Sequence, residues 1–197
     1  MNYLAHAYLS FNDREILVGN MISDFVKGKK KLDYELAIQQ GINLHRAIDS
    51  FTDAHKITKE AKEFFRPHYR LYAGAFVDVV FDHFLATDKN IFPEHSLLEF
   101  SQSVYQQLEN FVPVFPDRFR YMFDYMKKDN WLLNYSYHWG IEKSLGGVVR
   151  RSAYLTESET AYHIFEENYE VLMRLFSEFW PDLYSFAFSQ YELLKTK

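Results

Sequence analysis

The 197-residue chain contains no cysteine, only 7 glycines and only 5 prolines. The absence of cysteine excludes a disulfide scaffold, a zinc–thiolate site and a cysteine nucleophile. The scarcity of glycine and proline leaves little material for the many turns of an all-β fold. No stretch approaches the roughly 18 consecutive apolar residues of a membrane helix. We therefore expect a protein without a membrane span.

The charge and the start of the chain narrow the expected partners and location. The net charge of −5 argues against nonspecific binding of nucleic acid, which usually needs a basic surface. The segment from Met1 to His6 lacks the basic start and long apolar run of a signal peptide. We therefore expect a cytoplasmic protein with no nucleic-acid partner.

Apolar residues make up 48% of the chain, and most recur at steps of three and four residues. This spacing is typical of helices packed on one core, and the length suits one domain. We predict one all-α domain, a helical bundle spanning residues 1–197. The predicted helices begin at Asn12 or Asp13, and prolines such as Pro181 separate some of them. Their ranges are 13–26, 34–55, one ending near 67, 69–86, 94–110, 117–134, 137–150, 157–178 and 182–194.

The helix predicted for residues 34–55 carries two polar side chains on its apolar face. His45 and Asp49 lie one turn apart within that face, and Arg46 and Asp53 lie at its edge. Buried polar groups need partners. The pair therefore either satisfies itself by a hydrogen bond or takes part in a metal or catalytic site.

The helix that includes residues 71–86 is apolar nearly all round, which is typical of a central buried helix. It nevertheless carries Asp78, Asp82 and the adjacent His83. Two buried carboxylates one turn apart repel each other and lose hydration, so they need a counter-charge. A divalent cation would supply it, and a salt bridge to Arg46 or Arg70 is the alternative.

Two further residues are weaker candidates. Asp24 ends an apolar run, where a solvated carboxylate at a helix end is the simpler interpretation. His6 lies in the apolar segment Leu4–Leu9 without a local partner. A lone histidine in such a segment is more typical of the core than of a metal site.

Five stretches of the sequence together resemble one known family, the acyl carrier protein phosphodiesterases. The stretches are MNYLAHAYLS at the start, GNMISDFVKG, GINLHRAIDSFTDAH, FVDVVFDHFLA and, more weakly, LLNYSYHWGIEKSLGGVVRRS. The resemblance implies a hydrolase that removes 4′-phosphopantetheine from holo-acyl carrier protein with Mn²⁺ or Mg²⁺. It also implies a distant relationship to the HD superfamily of helical phosphohydrolases. The adjacent pair Asp82-His83 has the reverse of the order that names that superfamily.

The residues and the resemblance together lead to one hypothesis for the reaction centre. Asp53 and His83 are the candidates to relay a proton, and Arg46 and Arg70 are suited to the phosphate oxygens. The predicted metal ligands, which are also predicted to be catalytic, are Asp24, His45, Asp49, Asp78 and Asp82.

The implied protein substrate, acyl carrier protein, is acidic, so we expect a basic docking surface. Lys27, Lys29, Lys30 and Lys31 follow Asp24 closely, and Arg150 and Arg151 are possible additions. Two alternatives remain for the function. One is an HD-like phosphohydrolase that acts on a nucleotide or another small phosphodiester. The other is a non-catalytic helical binding module whose Asp and His residues pair internally.

Overall fold

The computed structural model describes residues 1–196, which form eleven α-helices and short 3₁₀ turns without a β-strand. The all-α prediction is therefore confirmed. The helices are α1 Tyr3–Tyr8, α2 Arg14–Ile22, α3 Leu36–Ala54, α4 Lys56–Tyr69, α5 Ala73–Thr87, α6 Ser96–Glu109, α7 Asp117–Lys128, α8 Trp131–Asn134, α9 His138–Arg151, α10 Glu159–Glu167 and α11 Tyr169–Lys195.

The boundaries differ from the sequence prediction at both ends of the chain. Helix α1 was not predicted, because six residues are too few to show a period. The helix predicted to reach Val26 ends at Ile22, and 3₁₀ turns follow at Ser23–Phe25 and Gly28–Asp33. Asp13 caps α2, since its side chain accepts a hydrogen bond from the backbone amide of Ile16, as helix N-caps do.

The predicted break at Pro181 is wrong, because α11 runs through this proline and begins after Asn168. A proline inside a helix removes one backbone hydrogen bond and costs about 3 kcal/mol. The adjoining Phe179, Trp180 and Leu183 are all buried, and each buried side chain of this size contributes about 1.5–3 kcal/mol. Packing of these neighbours therefore outweighs the local cost.

Helix α5 lies at the centre of the core, as its apolar sequence predicts. Eleven of its fifteen residues are buried, and it packs against α1, α4, α9 and α11. Across residues 1–196, none of the helices combines the length and apolar character that crossing a membrane requires.

Helices α2 and α3 pack against each other at backbone distance, and two glycines make this possible. A Cβ atom on Gly19 would lie 2.1 Å from the carbonyl oxygen of Ile38, and one on Gly41 would lie 2.3 Å from that of Ile16. Any side chain at these positions would force the helices apart. The close approach brings Asn20 of α2 beside His45 of α3.

Candidate metal centre

Two buried histidines from different helices lie side by side near the start of the chain. His6 belongs to α1 and His45 to α3, with relative exposures of 2% and 5%. Their rings are stacked with centroids 3.9 Å apart and an interplanar angle of 15°. The two imidazoles therefore form one polar cluster inside an otherwise apolar environment.

Asn20 determines the protonation of both rings. Its side-chain amide nitrogen donates to the backbone carbonyl of His6 at 2.8 Å and to Ser10 Oγ at 3.1 Å. Its side-chain oxygen lies 2.9 Å from Nδ1 of His6, and its backbone oxygen lies 2.7 Å from Nδ1 of His45. Because both oxygens only accept, each Nδ1 must carry a proton. When an imidazole is neutral, it then presents the lone pair of Nε2 to the cluster.

Asp49 lies between the two Nε2 atoms. Its Oδ1 is 3.2 Å from Nε2 of His6 and its Oδ2 is 3.1 Å from Nε2 of His45. Among the described residues, His6, His45 and Asp49 form a group whose ligand atoms all lie within 4.8 Å of one another. Asp24 adds a second carboxylate, with Oδ1 3.2 Å from Nε2 of His45.

The donor atoms fit a divalent cation. Nε2 of His6 is buried and has no hydrogen-bond partner among residues 1–196, because its contact with Asp49 is close but lacks hydrogen-bonding geometry. A buried polar atom without a partner is costly, and a metal ion would satisfy it. Imidazole and carboxylate donors without thiolate suit Mn²⁺, Mg²⁺, Fe²⁺ or Zn²⁺.

The pKa values reflect the concentration of negative charge in the cluster. Burial alone would lower the pKa of His45, but hydrogen bonds to Asp24 and Asp49 raise it to about 9. For Asp24, the hydrogen bond from His45 is the largest effect and lowers the pKa. Burial and the neighbouring charge of His45 lower the pKa of His6. The cluster therefore binds one positive charge strongly, and a metal ion would compete with the proton on His45.

Asp78 and Asp82 on α5 have different partners. Oδ1 of Asp78 lies 3.0 Å from the α-amino nitrogen of Met1, which is also 3.7 Å from Oδ1 of Asp49. Asp82 is fully buried and accepts hydrogen bonds from the backbone amides of Asn2 at 3.1 Å and Leu4 at 2.7 Å.

The prediction that Asp82 is a ligand therefore has no support in the geometry. Both of its oxygens are used by backbone amides at the start of α1, where helices leave amides unpaired. The α-amino group of Met1 supplies the positive charge near these carboxylates, and the backbone amides supply hydrogen bonds. These groups take the place of the metal or arginine that was expected from the sequence. Burial raises the pKa of Asp82 to about 7.

His83 lies outside the cluster and both of its nitrogens have partners. Nδ1 is 2.7 Å from the backbone oxygen of Tyr135, and Nε2 is 3.0 Å from the hydroxyl of Tyr169. Burial lowers its pKa to about 4. The predicted proton relay by His83 is not supported, because both ring nitrogens are occupied by tyrosine oxygens.

The other predicted reaction residues are placed as follows. Asp53 is exposed and pairs with Lys62 at 2.7 Å, so it does not contact the cluster. Nη2 of Arg46 donates to the backbone oxygen of Val26 at 2.8 Å, which ties α3 to the segment after Asp24. Arg70 lines an open cleft of about 700 Å³ together with Asp53 and Asp78.

The predicted docking residues fall into two sets. Lys27, Lys29 and Lys30 are exposed on the turn that follows Asp24, and Lys31 donates to the side chain of Asn43 at 2.9 Å. Arg150 and Arg151 lie at the end of α9, where they line a separate groove that includes Asn2 and Tyr3. Arg150 and Arg151 therefore line a groove that does not include the lysines of the turn.

Asn20 was not predicted as a site residue, and His6 was predicted to be more typical of the core than of a metal site. Both lie in apolar segments, and their partners are distant in the chain, so periodicity gives no sign of their pairing. The available signal was that His6, Asn20 and His45 are polar residues within three apolar stretches. When such a stretch is buried, its polar side chain needs a hydrogen-bond partner.

The chain is similar to known proteins along most of its length. Residues 1–183 match a family model described as acyl carrier protein phosphodiesterase. Proteins of that name from Yersinia enterocolitica and an Enterobacter species are each 34% identical to this chain, covering 95% and 92% of it and 97% and 94% of the relatives. A third, from Photorhabdus laumondii, is 31% identical and covers 92% of both chains. No solved structure matches.

Proposed function

Because the chain belongs to the acyl carrier protein phosphodiesterase family, we propose that it removes 4′-phosphopantetheine from holo-acyl carrier protein. Water cleaves the phosphodiester that joins the arm to a serine of the carrier protein. The products are apo-acyl carrier protein with a free serine hydroxyl and 4′-phosphopantetheine with a phosphate monoester. The match along nearly the whole chain supports this assignment.

One observation carries the assignment of the centre: the Nε2 atoms of two buried imidazoles converge on the oxygens of Asp49. Asn20 binds the other nitrogen of each ring, which is the arrangement that orients metal-bound histidines in proteins. We assign His6, His45 and Asp49 as ligands of a divalent metal, Mn²⁺ or Mg²⁺. Asp24 completes the set, because its carboxylate contacts the same nitrogen of His45.

A divalent ion held by these residues would polarise a phosphoryl oxygen and would make hydroxide available near neutral pH. The side chains of the protein provide the remaining chemistry. Burial of His6 and His45 keeps bulk water from one side of the centre, whereas the side chain of Asp24 is 66% exposed. Asp24 thus lies between the cluster and solvent, and the attacking water loses its proton to solvent on this side.

The atoms balance in this scheme. The water oxygen forms a bond to phosphorus, and the bond between phosphorus and the serine oxygen breaks. The serine oxygen takes up a proton from solvent, and the phosphate stays with the released arm. Asp78 and Asp49 both contact the α-amino group of Met1. Asp78 therefore helps to fix the position of Asp49 through this shared contact.

We assign the docking surface for the carrier protein to the lysines of the turn after Asp24. Lys27, Lys29 and Lys30 are exposed and have no carboxylate within ion-pairing distance among residues 1–196. Complementary charge accelerates the encounter with an acidic partner. This surface adjoins Asp24, so a carrier protein bound there brings its phosphodiester toward the cluster.

Mass spectrometry of holo-acyl carrier protein provides the test. Incubation with the purified enzyme and Mn²⁺ should remove the mass of the arm and release 4′-phosphopantetheine. A chelator should stop the loss, and elemental analysis should find a divalent metal in wild-type protein but not in the His45→Gln variant. An unchanged carrier-protein mass in the presence of Mn²⁺ and of Mg²⁺ would refute the function. Turnover that survives chelation would refute the metal assignment.

A further inference from the structure

A groove of about 300 Å³ lies between the start of α1 and the helices α8 and α9. Its walls include the aromatic side chains of Tyr3, Trp131 and Trp139, and the amide of Asn134. Trp139 stacks on Tyr137 and has Nζ of Lys143 4.9 Å from its ring centroid, but 47% of the residue remains exposed. No part of the proposed hydrolytic chemistry uses the groove.

The groove follows one face of α9. Its residues on this helix include Trp139, Lys143, Gly147 and the pair Arg150 and Arg151, which are spaced at about one turn, and Gly140 and Ser144 lie beside them. At about 1.5 Å per residue, the distance from Trp139 to Arg150 along the axis is about 16 Å. One end of the groove is aromatic and the other is basic.

The basic end has two guanidinium groups close together and no counter-charge. A Cβ atom on Gly147 would lie 3.3 Å from Nη1 of Arg151 and 3.7 Å from Nη2 of Arg150. Neither arginine has a carboxylate within ion-pairing distance in the part of the chain that the structure describes. Two unneutralised guanidiniums repel each other, and a phosphate would relieve the repulsion through bidentate hydrogen bonds.

The basic end adjoins the metal centre. Tyr3 lines the groove and belongs to α1, in which His6 follows three residues later, so the two side chains lie on the same face of the helix. Burial and the charge of Asp24 raise the pKa of the Tyr3 hydroxyl, and the charge of Arg151 lowers it. The pKa of the Tyr3 hydroxyl is therefore affected both by a carboxylate of the centre and by a guanidinium of the groove.

We propose that this groove binds the pantetheine arm of the substrate, with the phosphate end toward Arg150 and Arg151 and the thiol end toward Trp139. The proposal rests on the proposed function, because it assigns a binding site to the leaving arm. From phosphorus to sulfur the arm has about thirteen bonds, and at about 3.6 Å for every three bonds of an extended chain it spans roughly 16 Å. This length matches the face of α9.

The chemistry of the groove matches that of the arm. The dimethyl group and methylene carbons pack against Trp131 and Tyr3, and the thiol lies against the ring of Trp139, where sulfur–aromatic contacts are favourable. The side-chain nitrogen of Asn134 already donates to the backbone of Asp129. Its side-chain oxygen is left to accept from an amide of the arm. Contact with the thiol would account for the exposure of Trp139.

Tryptophan fluorescence tests the proposal without catalysis. The chain has three tryptophans; two line the groove, and Trp180 is buried elsewhere in α11. Titrating metal-free protein with pantetheine, which lacks the phosphate, should change the emission in a saturable way. The Trp139→Ala variant should weaken this binding about tenfold, whereas the control Tyr184→Ala, which alters an exposed aromatic on α11, should bind like wild type.

The basic end has its own test. The double variant Arg150→Gln with Arg151→Gln should bind pantetheine like wild type but bind 4′-phosphopantetheine about tenfold more weakly. Trp139→Ala should raise KM for holo-acyl carrier protein and leave metal content unchanged. No change of emission with pantetheine, together with an unchanged KM in Trp139→Ala, would overturn the groove assignment. If wild type releases the arm in that case, the proposed function still holds.

Discussion

The structure contains two kinds of buried histidine, which differ in the groups that contact their ring nitrogens. His6 and His45 each have one nitrogen bound by Asn20 and the other directed at carboxylates. His83 is equally buried, but Tyr135 and Tyr169 bind both of its nitrogens. Burial and a neighbouring aspartate in the sequence therefore do not distinguish a ligand. The proposed ligands share a ring nitrogen that lies beside a carboxylate.

The largest expected effect is on turnover, and it distinguishes the environment of His45 from that of His83. His45→Gln or Asp49→Asn should reduce turnover of holo-acyl carrier protein about 10³-fold or more, because losing the metal removes several kcal/mol of transition-state stabilisation. His83→Gln should reduce turnover only a few-fold. Steady-state kinetics with far-ultraviolet circular dichroism as a folding control measures both. A His83→Gln variant as inactive as His45→Gln would break the comparison.

A second effect concerns the residue that orients the ligands. Asn20→Ala removes the side-chain acceptor of His6 Nδ1, and loss of such supporting hydrogen bonds typically costs 10–100-fold in metal affinity. Tyr169→Phe is the matched change at His83, since it removes the partner of Nε2. It should leave metal affinity at the wild-type value. Equal Mn²⁺ affinities in Asn20→Ala and wild type would contradict the role of Asn20.

The pH dependence of stability should report His83 more clearly than activity does. Its pKa is about 4 in the folded protein against an ordinary value of 6.5, so the unfolded chain binds the proton more tightly. The stabilisation is complete above pH 6.5 and is lost as the pH falls toward 4. Between pH 7.5 and 4.5 the loss amounts to roughly 2–3 kcal/mol.

Urea unfolding of wild type and His83→Gln at several pH values isolates this contribution, because the other titrating groups are common to both proteins. The difference in the free energy of unfolding should narrow as the pH falls. A constant difference across the range would show that His83 titrates normally and that its environment is not as dry as its contacts indicate.

The smallest expected effect lies at the surface next to the cluster. Lys30→Glu should raise KM for holo-acyl carrier protein several-fold at low salt, with a smaller change in kcat, because rim charges act mainly on encounter. Lys89→Glu, an exposed change two residues after the end of α5, is the control and should leave KM unchanged. Identical KM values for the two variants at low ionic strength would show that the lysines are not part of the docking surface.

The fold was largely predictable, because helical periodicity is a local property. The spacing of apolar residues predicts α3 and α5 to within a few residues, and the family resemblance is confirmed by the match over residues 1–183. The continuity of α11 through Pro181 was not predictable, because it depends on burial of the neighbouring side chains. A prediction from local signals treats every proline alike. The prediction of one domain over residues 1–197 stays a prediction.

The centre was predictable only in part, because ligand sets are assembled from distant segments. The one-turn spacing of His45 and Asp49 places both on one face, and their proximity to Asp24 supports that assignment. The same spacing argument applied equally to Asp78 and Asp82, yet Asp82 binds backbone amides at the start of α1. Periodicity shows which side chains are buried together, but it does not show what satisfies them.

The bond between Asp82 and the start of α1 has a consequence for how the protein is made. Helix α1 has six residues, far fewer than an isolated helix needs to persist, and its amides are held by a carboxylate about 80 residues later in the chain. During synthesis, His6, His45 and Asp49 therefore leave the ribosome before the residue that holds α1 in place. The proposed ligands can therefore be held together as in the folded protein only after α5 has been made.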